Sequence, residues 1–182
     1  MIKSKLLELL FKTEDSVYAV VDGALNDELF FTLTVMLNEL PYLSLYMGED
    51  RENLEEVAPY LVKLEKKSEL TDWILKSYSE KWGFFIQSPC DIYEIHEELS
   101  QRVKIKDETT NQNLFIRFYD PRATEKYIKL QTEEEREELF EVAPVIFYAN
   151  SDDCEFINKV TVKEEEVDTT SIDIKEVKYE IF

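Results

Sequence analysis

Glycine is scarce in this chain of 182 residues: Gly23, Gly48 and Gly83 are all there is, and no two lie close together. A phosphate-cradling loop or a dinucleotide-binding turn needs several glycines within a few positions, so neither motif can be built. Histidine is limited to His96 and cysteine to Cys90 and Cys154. Zinc sites need clustered Cys and His, which these are not. Two cysteines do not make a disulfide framework either, and both read as reduced structural thiols. The strand-to-helix elbow that exposes a hydrolase serine, Gly-x-Ser-x-Gly, is missing. A Cys90–His96 dyad would have to bridge two helix faces. Positive charge is in deficit, 21 basic residues against 40 acidic, for a net charge of -19. Such a surface repels phosphate backbones and anionic bilayers, which argues against nucleic acid and membrane as partners. Long apolar runs are absent too. The first apolar stretch, around Leu6, Leu7, Leu9 and Leu10, is interrupted by Glu8 and followed by no small-residue cleavage site. The expectation is a cytoplasmic protein with no cofactor and no metal.

What is present is enough apolar material for one packed core, with 44% hydrophobic and 13% aromatic residues. Ile2, Leu6, Leu9 and Leu10 recur at helical spacing. A buried strand follows at 16–21 (SVYAVV), stopped by the turn signal Asp22-Gly23. Asn26 or Asp27 can cap a helix striped by Leu29, Phe30, Leu33, Met36, Leu37 and Leu40, and Pro41 ends it. Strands are expected at 42–46 (YLSLY), 59–64 (PYLVKL) and 82–87 (WGFFIQ), with a short acidic helix at 49–57 and a helix capped by Ser68 between them. Ser88 and Pro89 are expected to open a helix with Ile92, Ile95, His96 and Leu99 on one face, where His96 reads as a core or boundary residue.

Strands alternating with helices imply crossover connections and parallel pairing. Segments 103–105 and 114–119 around a polar loop read as an antiparallel hairpin. Thr132 and Glu135 form a capping-box signature, and 144–148 (PVIFY) reads as the last core strand. The expected fold is therefore α/β, a mixed, mainly parallel sheet flanked by helices, with one antiparallel hairpin. Residues 1–149 form the domain. Residues 150–182 form an acidic extension, made either of edge strands or of a segment ordered by a partner.

Carboxylates are too plentiful for pairs to be informative. Asp22 with Glu65-Lys66-Lys67 loosely matches the carboxylate-and-lysine set of metal-dependent nucleases, but 40 acidic residues make such a match cheap. The runs around Glu135 and Glu165 read as solvated surface. One constellation is chemically distinctive: Arg117-Phe118-Tyr119-Asp120-Pro121-Arg122 ends an expected strand and opens an expected helix, with Asp120 as cap and Pro121 in the first turn. Arg117 points away from Phe118 and can form a buried, forked ion pair at a strand end, with Asp22 the first choice of partner and Asp120 the second. The pair can be structural, joining two strand ends, or part of a partner-binding surface.

Four segments in order resemble the family called domain of unknown function 4123: Tyr18 to Ala24 with Asp22-Gly23, Ala58 to Val62, Trp82-Gly83, and Arg117 to Arg122 with Tyr119. Members of that family act as effector adaptors, or chaperones, of bacterial type VI secretion. The resemblance implies a non-catalytic protein of the bacterial cytoplasm that binds an effector protein and a VgrG spike protein. Its motif residues here are Asp22, Gly23, Trp82, Arg117, Tyr119, Asp120, Pro121 and Arg122. The acidity of the chain leaves a second function open, an immunity protein that captures a basic toxin.

Overall fold

The structure, a computed structural model, describes residues 2–36, 40–107, 109–150, 152–163 and 166–175. Helix α1 (Ile2–Leu10) leads into β1 (Ser16–Asp22) and a 3-10 turn, Gly23–Leu25. Helix α2 (Leu29–Phe31) runs into a π-helical turn, Thr32–Met36, beside which Thr34 Oγ1 donates back to the carbonyl of Phe30 at 2.7 Å. Leu29 and Leu33 of the expected stripe are buried, whereas Leu37 lies outside the described residues. Next come β2 (Tyr42–Ser44), α3 (Gly48–Asn53), a 3-10 turn at Glu55–Val57, β3 (Pro59–Leu64), α4 (Glu69–Lys76) and β4 (Gly83–Ser88). The rest is α5 (Ile92–Arg102), β5 (Lys104–Lys106), β6 (Asn113–Phe115), α6 (Thr124–Leu130), α7 (Glu133–Val142), β7 (Val145–Ala149), β8 (Phe156–Lys163) and β9 (Glu166–Asp173).

Local chemistry sets several of these boundaries. Ser68 accepts from Thr71 N at the start of α4, and Thr132 with Glu135 closes a reciprocal capping box on α7. Helix α5 starts later than Ser88-Pro89 suggests. Asp91 is its cap, accepting from Tyr93 N and Glu94 N while Glu94 returns a bond to Asp91 N. Ser88 instead ends β4, and its hydroxyl donates to the carbonyl of Val142 at 2.6 Å.

Seven strands form one sheet in the order β2-β3-β1-β4-β7-β8-β9, and every neighbouring pair is antiparallel. The mainly parallel sheet expected from strand–helix alternation is thus corrected. The physical reason is visible in the order. Since β3 and β4 both pair antiparallel with β1, they run the same way, and α4 carries the chain between them across β1. Likewise β1 and β2 run the same way with β3 between them. The helices do make crossovers, but each crossover skips one position, which an antiparallel strand fills. Beyond β7, strands β8 and β9 continue the sheet. The hairpin β5–β6 is a separate two-stranded sheet.

Both faces of the central strands are covered. On β4, Phe85 meets Tyr78 next to α4, and Gln87 donates to the carbonyl of Leu10 at the end of α1. The alternate residue Phe84 meets Phe118 on the opposite face, and Phe118 packs on Tyr127 of α6. Phe85 is buried, while Phe30 and Trp73 are partly so. Among the described residues no helix is long and apolar enough to cross a membrane.

Candidate functional site

The motif residues gather at one end of the sheet because the antiparallel register brings the end of β1 beside the starts of β3 and β4. Asp22 stands opposite Pro59, its N–H donates to the carbonyl of Trp82 at 2.7 Å, and the N–H of Gly23 donates to that of Ala58 at 3.0 Å. These approaches demand glycine. A Cβ on Gly23 would lie 2.7 Å from Ala58 O, and one on Gly83 would lie 1.8 Å from Val20 O. Trp82 is buried and meets Trp73 edge-on, with centroids 5.3 Å apart.

Asp22 is only 1% exposed. Its Oδ1 accepts from Ala24 N at 2.9 Å, and its Oδ2 accepts from the guanidinium of Arg117, whose side chain is 40% exposed. Burial raises the Asp22 pKa above the usual carboxylate value, and Arg117 and the Ala24 N–H oppose that rise. Tyr119, buried beside Asp22, shares a side-chain hydrogen bond with Tyr46; burial first and the Asp22 charge second push both phenols up. Asp22, Tyr46 and Tyr119 thus form a buried polar knot, and Arg117 closes it from the solvent side, so that one carboxylate is balanced by one guanidinium.

The segment carrying Arg117 is not strand. β6 ends at Phe115, and a turn closed by Asp120 N to Arg117 O at 3.1 Å lets both Phe118 and Tyr119 go inside, their rings edge-on at 5.4 Å. Asp120 is not a helix cap. Its carboxylate accepts from Arg122 N at 2.9 Å and, through both oxygens, from the Arg122 guanidinium at 2.5–3.2 Å. Burial works against the Asp120 charge, but the Arg122 bonds outweigh it and hold the pKa below the ordinary value. Pro121 is buried in that turn and Arg122 is exposed. Helix α6 starts only at Thr124, whose hydroxyl bonds to the carbonyls of Phe118 and Asp120.

Sequence reasoning passed over Tyr46 and the carbonyls of Ala58 and Trp82. Tyr46 looks like any strand aromatic, and a backbone acceptor leaves no mark in side-chain chemistry. The nuclease-like grouping comes apart. In the β1–β3 register Asp22 faces Pro59 and Val17 faces Leu64, so Glu65 lies beyond the far end of the strands. Cys90 and His96 also go separate ways. The Cys90 sulfur faces the carbonyl of Glu141, and His96 Nε2 lies 2.8 Å from the carbonyl of Ser44. Among the described residues no three His, Cys, Asp or Glu side chains are placed to hold a metal ion.

The comparisons with known proteins cover the segments that build this end of the sheet. The family described as Domain of unknown function (DUF4123) matches over residues 17–138, which hold Asp22, Gly23, Trp82 and Arg117 to Arg122. The chain belongs to the DUF4123 family. The DUF4123 match ends within α7, ahead of β7, β8 and β9. A curated relative, Accessory protein VasW of Vibrio cholerae serotype O1, is 32% identical over 99 residues, or 54% of this chain and 33% of the relative. The chain therefore spans about a third of the length of that relative. No solved structure matches the chain.

Proposed function

We propose that this DUF4123 protein is a non-catalytic adaptor of type VI secretion that binds an effector and loads it onto a VgrG spike protein, acting in the bacterial cytoplasm. The observation that carries this reading is how the motif residues are occupied. Asp22 is held by Arg117, Tyr119 by Tyr46 and Asp120 by Arg122, so the motif reads as a brace that shapes a surface. Membership of the family supports the same reading, as does the name accessory protein carried by the relative.

The test is reconstitution. The tagged protein is co-expressed with a VgrG spike protein and a type VI effector from the same bacterium, and the complex is captured at low and at high salt. Recovery of both partners, falling as salt rises, is expected, because a surface of net charge -19 meets basic partners. Capture of a toxin without the spike, together with toxin sensitivity of sister cells lacking the gene, would establish an immunity protein instead.

A further inference from the structure

Next to the braced end of the sheet, the 3-10 turn Gly23–Leu25, helix α2 and the 3-10 turn Glu55–Val57 enclose an open groove of about 430 Å³. Phe30 lies in its lining and packs on Tyr60 at 6.4 Å, which in turn meets Tyr42 at 5.9 Å. The Tyr60 hydroxyl donates to the carbonyl of Glu55 at 2.7 Å, tying the Glu55–Val57 wall to β3. Phe31 and Val57 border the groove and are 53% and 42% exposed. Val35, a turn after Phe31, and Leu25, beside Ala24, are exposed as well. Monomers seldom leave several large apolar side chains together in water. Asp27 and Glu56 are in the lining, and Glu28 and Glu55 are exposed beside them in sequence.

We infer that this groove is the seat of an amphipathic helix of a partner protein, apolar on the face it buries and flanked by Lys or Arg. Charge complementarity fixes the flanks: the rim is acidic, as is the molecule as a whole. Backbone geometry fixes the helix. The lining comes from helical turns and offers no strand edge, so an extended peptide could not pair its backbone there, whereas a helix satisfies its own hydrogen bonds. The brace gains a role from this. The Asp22–Arg117 pair and the bond from Gly23 N to Ala58 O hold the two walls in register. The inference rests on the adaptor reading only for which protein presents the helix.

The probe is a synthetic helical peptide with Leu and Phe at positions i, i+3, i+4 and i+7 and lysines on its flanks. Two controls accompany it: the same peptide with glutamates for the lysines, and a proline-broken version that cannot form a helix. Fluorescence anisotropy is read on the full chain. Phe31→Asp and Val57→Asp should each weaken binding of the lysine peptide by at least about tenfold, as loss of an interface anchor does. Glu56→Lys should weaken it less, and Leu130→Asp, at an exposed site on α6, should leave it unchanged. Circular dichroism melts confirm that each variant folds, and Phe31→Ala replaces Phe31→Asp should the latter not fold. No binding by the wild type, equal binding of the glutamate or proline-broken peptide, or unchanged affinity in folded Phe31 and Val57 variants each overturns the groove. Retention of spike and effector by those same variants in the co-capture assay would overturn the groove while leaving the adaptor reading standing. Loss of co-capture by the wild type, with peptide binding intact, would do the reverse.

Discussion

Arg117 and Asp22 meet on unequal terms: the carboxylate is enclosed, while the guanidinium has one side in water. Removing the arginine leaves a buried charge with the Ala24 N–H as its hydrogen-bond donor among the described residues. Arg117→Ala should therefore cost about 2–3 kcal/mol, below the full value for a wholly buried pair because Arg117 itself is half-exposed. Urea unfolding would measure it. The deficit should also depend on pH. The folded-state pKa of Asp22 is raised, so its favourable contribution is complete below the ordinary carboxylate value and is lost as pH rises through the folded value. Without Arg117 that value climbs further. The variant should thus lie close to wild type near roughly pH 4 and fall behind toward neutrality. A deficit constant across that range would mean that Asp22 is not left as an unbalanced charge. The partnership of Arg117 with Asp22 was legible in the sequence, because a carboxylate ending an apolar strand calls for a cation. The conformation of the following turn was not. Asp120-Pro121 has the form of a helix start, yet Arg122 stands near enough to take the carboxylate for itself.

Strands and helices are legible to the extent that each depends on its own residues. β3 falls on 59–64 as its composition implies, and Thr132 caps α7 through its own side chain. Strand direction is a relation between segments and leaves a weaker mark. β1 and β4 are buried almost throughout, the pattern of a parallel sheet under helices, but an antiparallel sheet covered on both faces has it too. What separates the two is which strand fills the space between β1 and β2, or between β3 and β4, and periodicity carries nothing about that. Gly83 holds a clue of another kind, since glycine within an apolar strand often marks close backbone approach. Gly83→Ala should destabilise by about 3 kcal/mol or more, because the new methyl meets the carbonyl of Val20 in the paired strand and not a side chain able to turn aside. A thermal melt of the purified variant, or its failure to accumulate in soluble form, would show this. A variant as stable as wild type would mean that β1 and β4 are less closely apposed than the structure has them.

At the scale of the molecule, the sheet extends past the family match through β7, β8 and β9. β8 contributes the buried Ile157 and Val160, and the Tyr78 hydroxyl reaches the carbonyl of Phe156 at 2.9 Å. Cutting the chain after Ala149 would bare the β7 edge and leave Tyr78 without that acceptor. The shortened chain should melt earlier and associate, because an uncovered strand edge invites pairing with other chains. Size-exclusion chromatography with light scattering would report it; a monomer as stable as the full chain would make residues 150–182 a separate appendage.

The two overlapping crossovers also order events in time as the chain leaves the ribosome. β1 is complete once Asp22 is made, yet its neighbours are Pro59–Leu64 on one side and Gly83–Ser88 on the other. At roughly 5–20 residues per second, the apolar run from Val17 to Val21 waits on the order of several seconds before both of its edges are covered. An unpaired β-prone segment of that kind is what trigger-type holdases bind, and its distant partners make the final closure slow. On this account the chain would itself be a client of the nascent-chain chaperones.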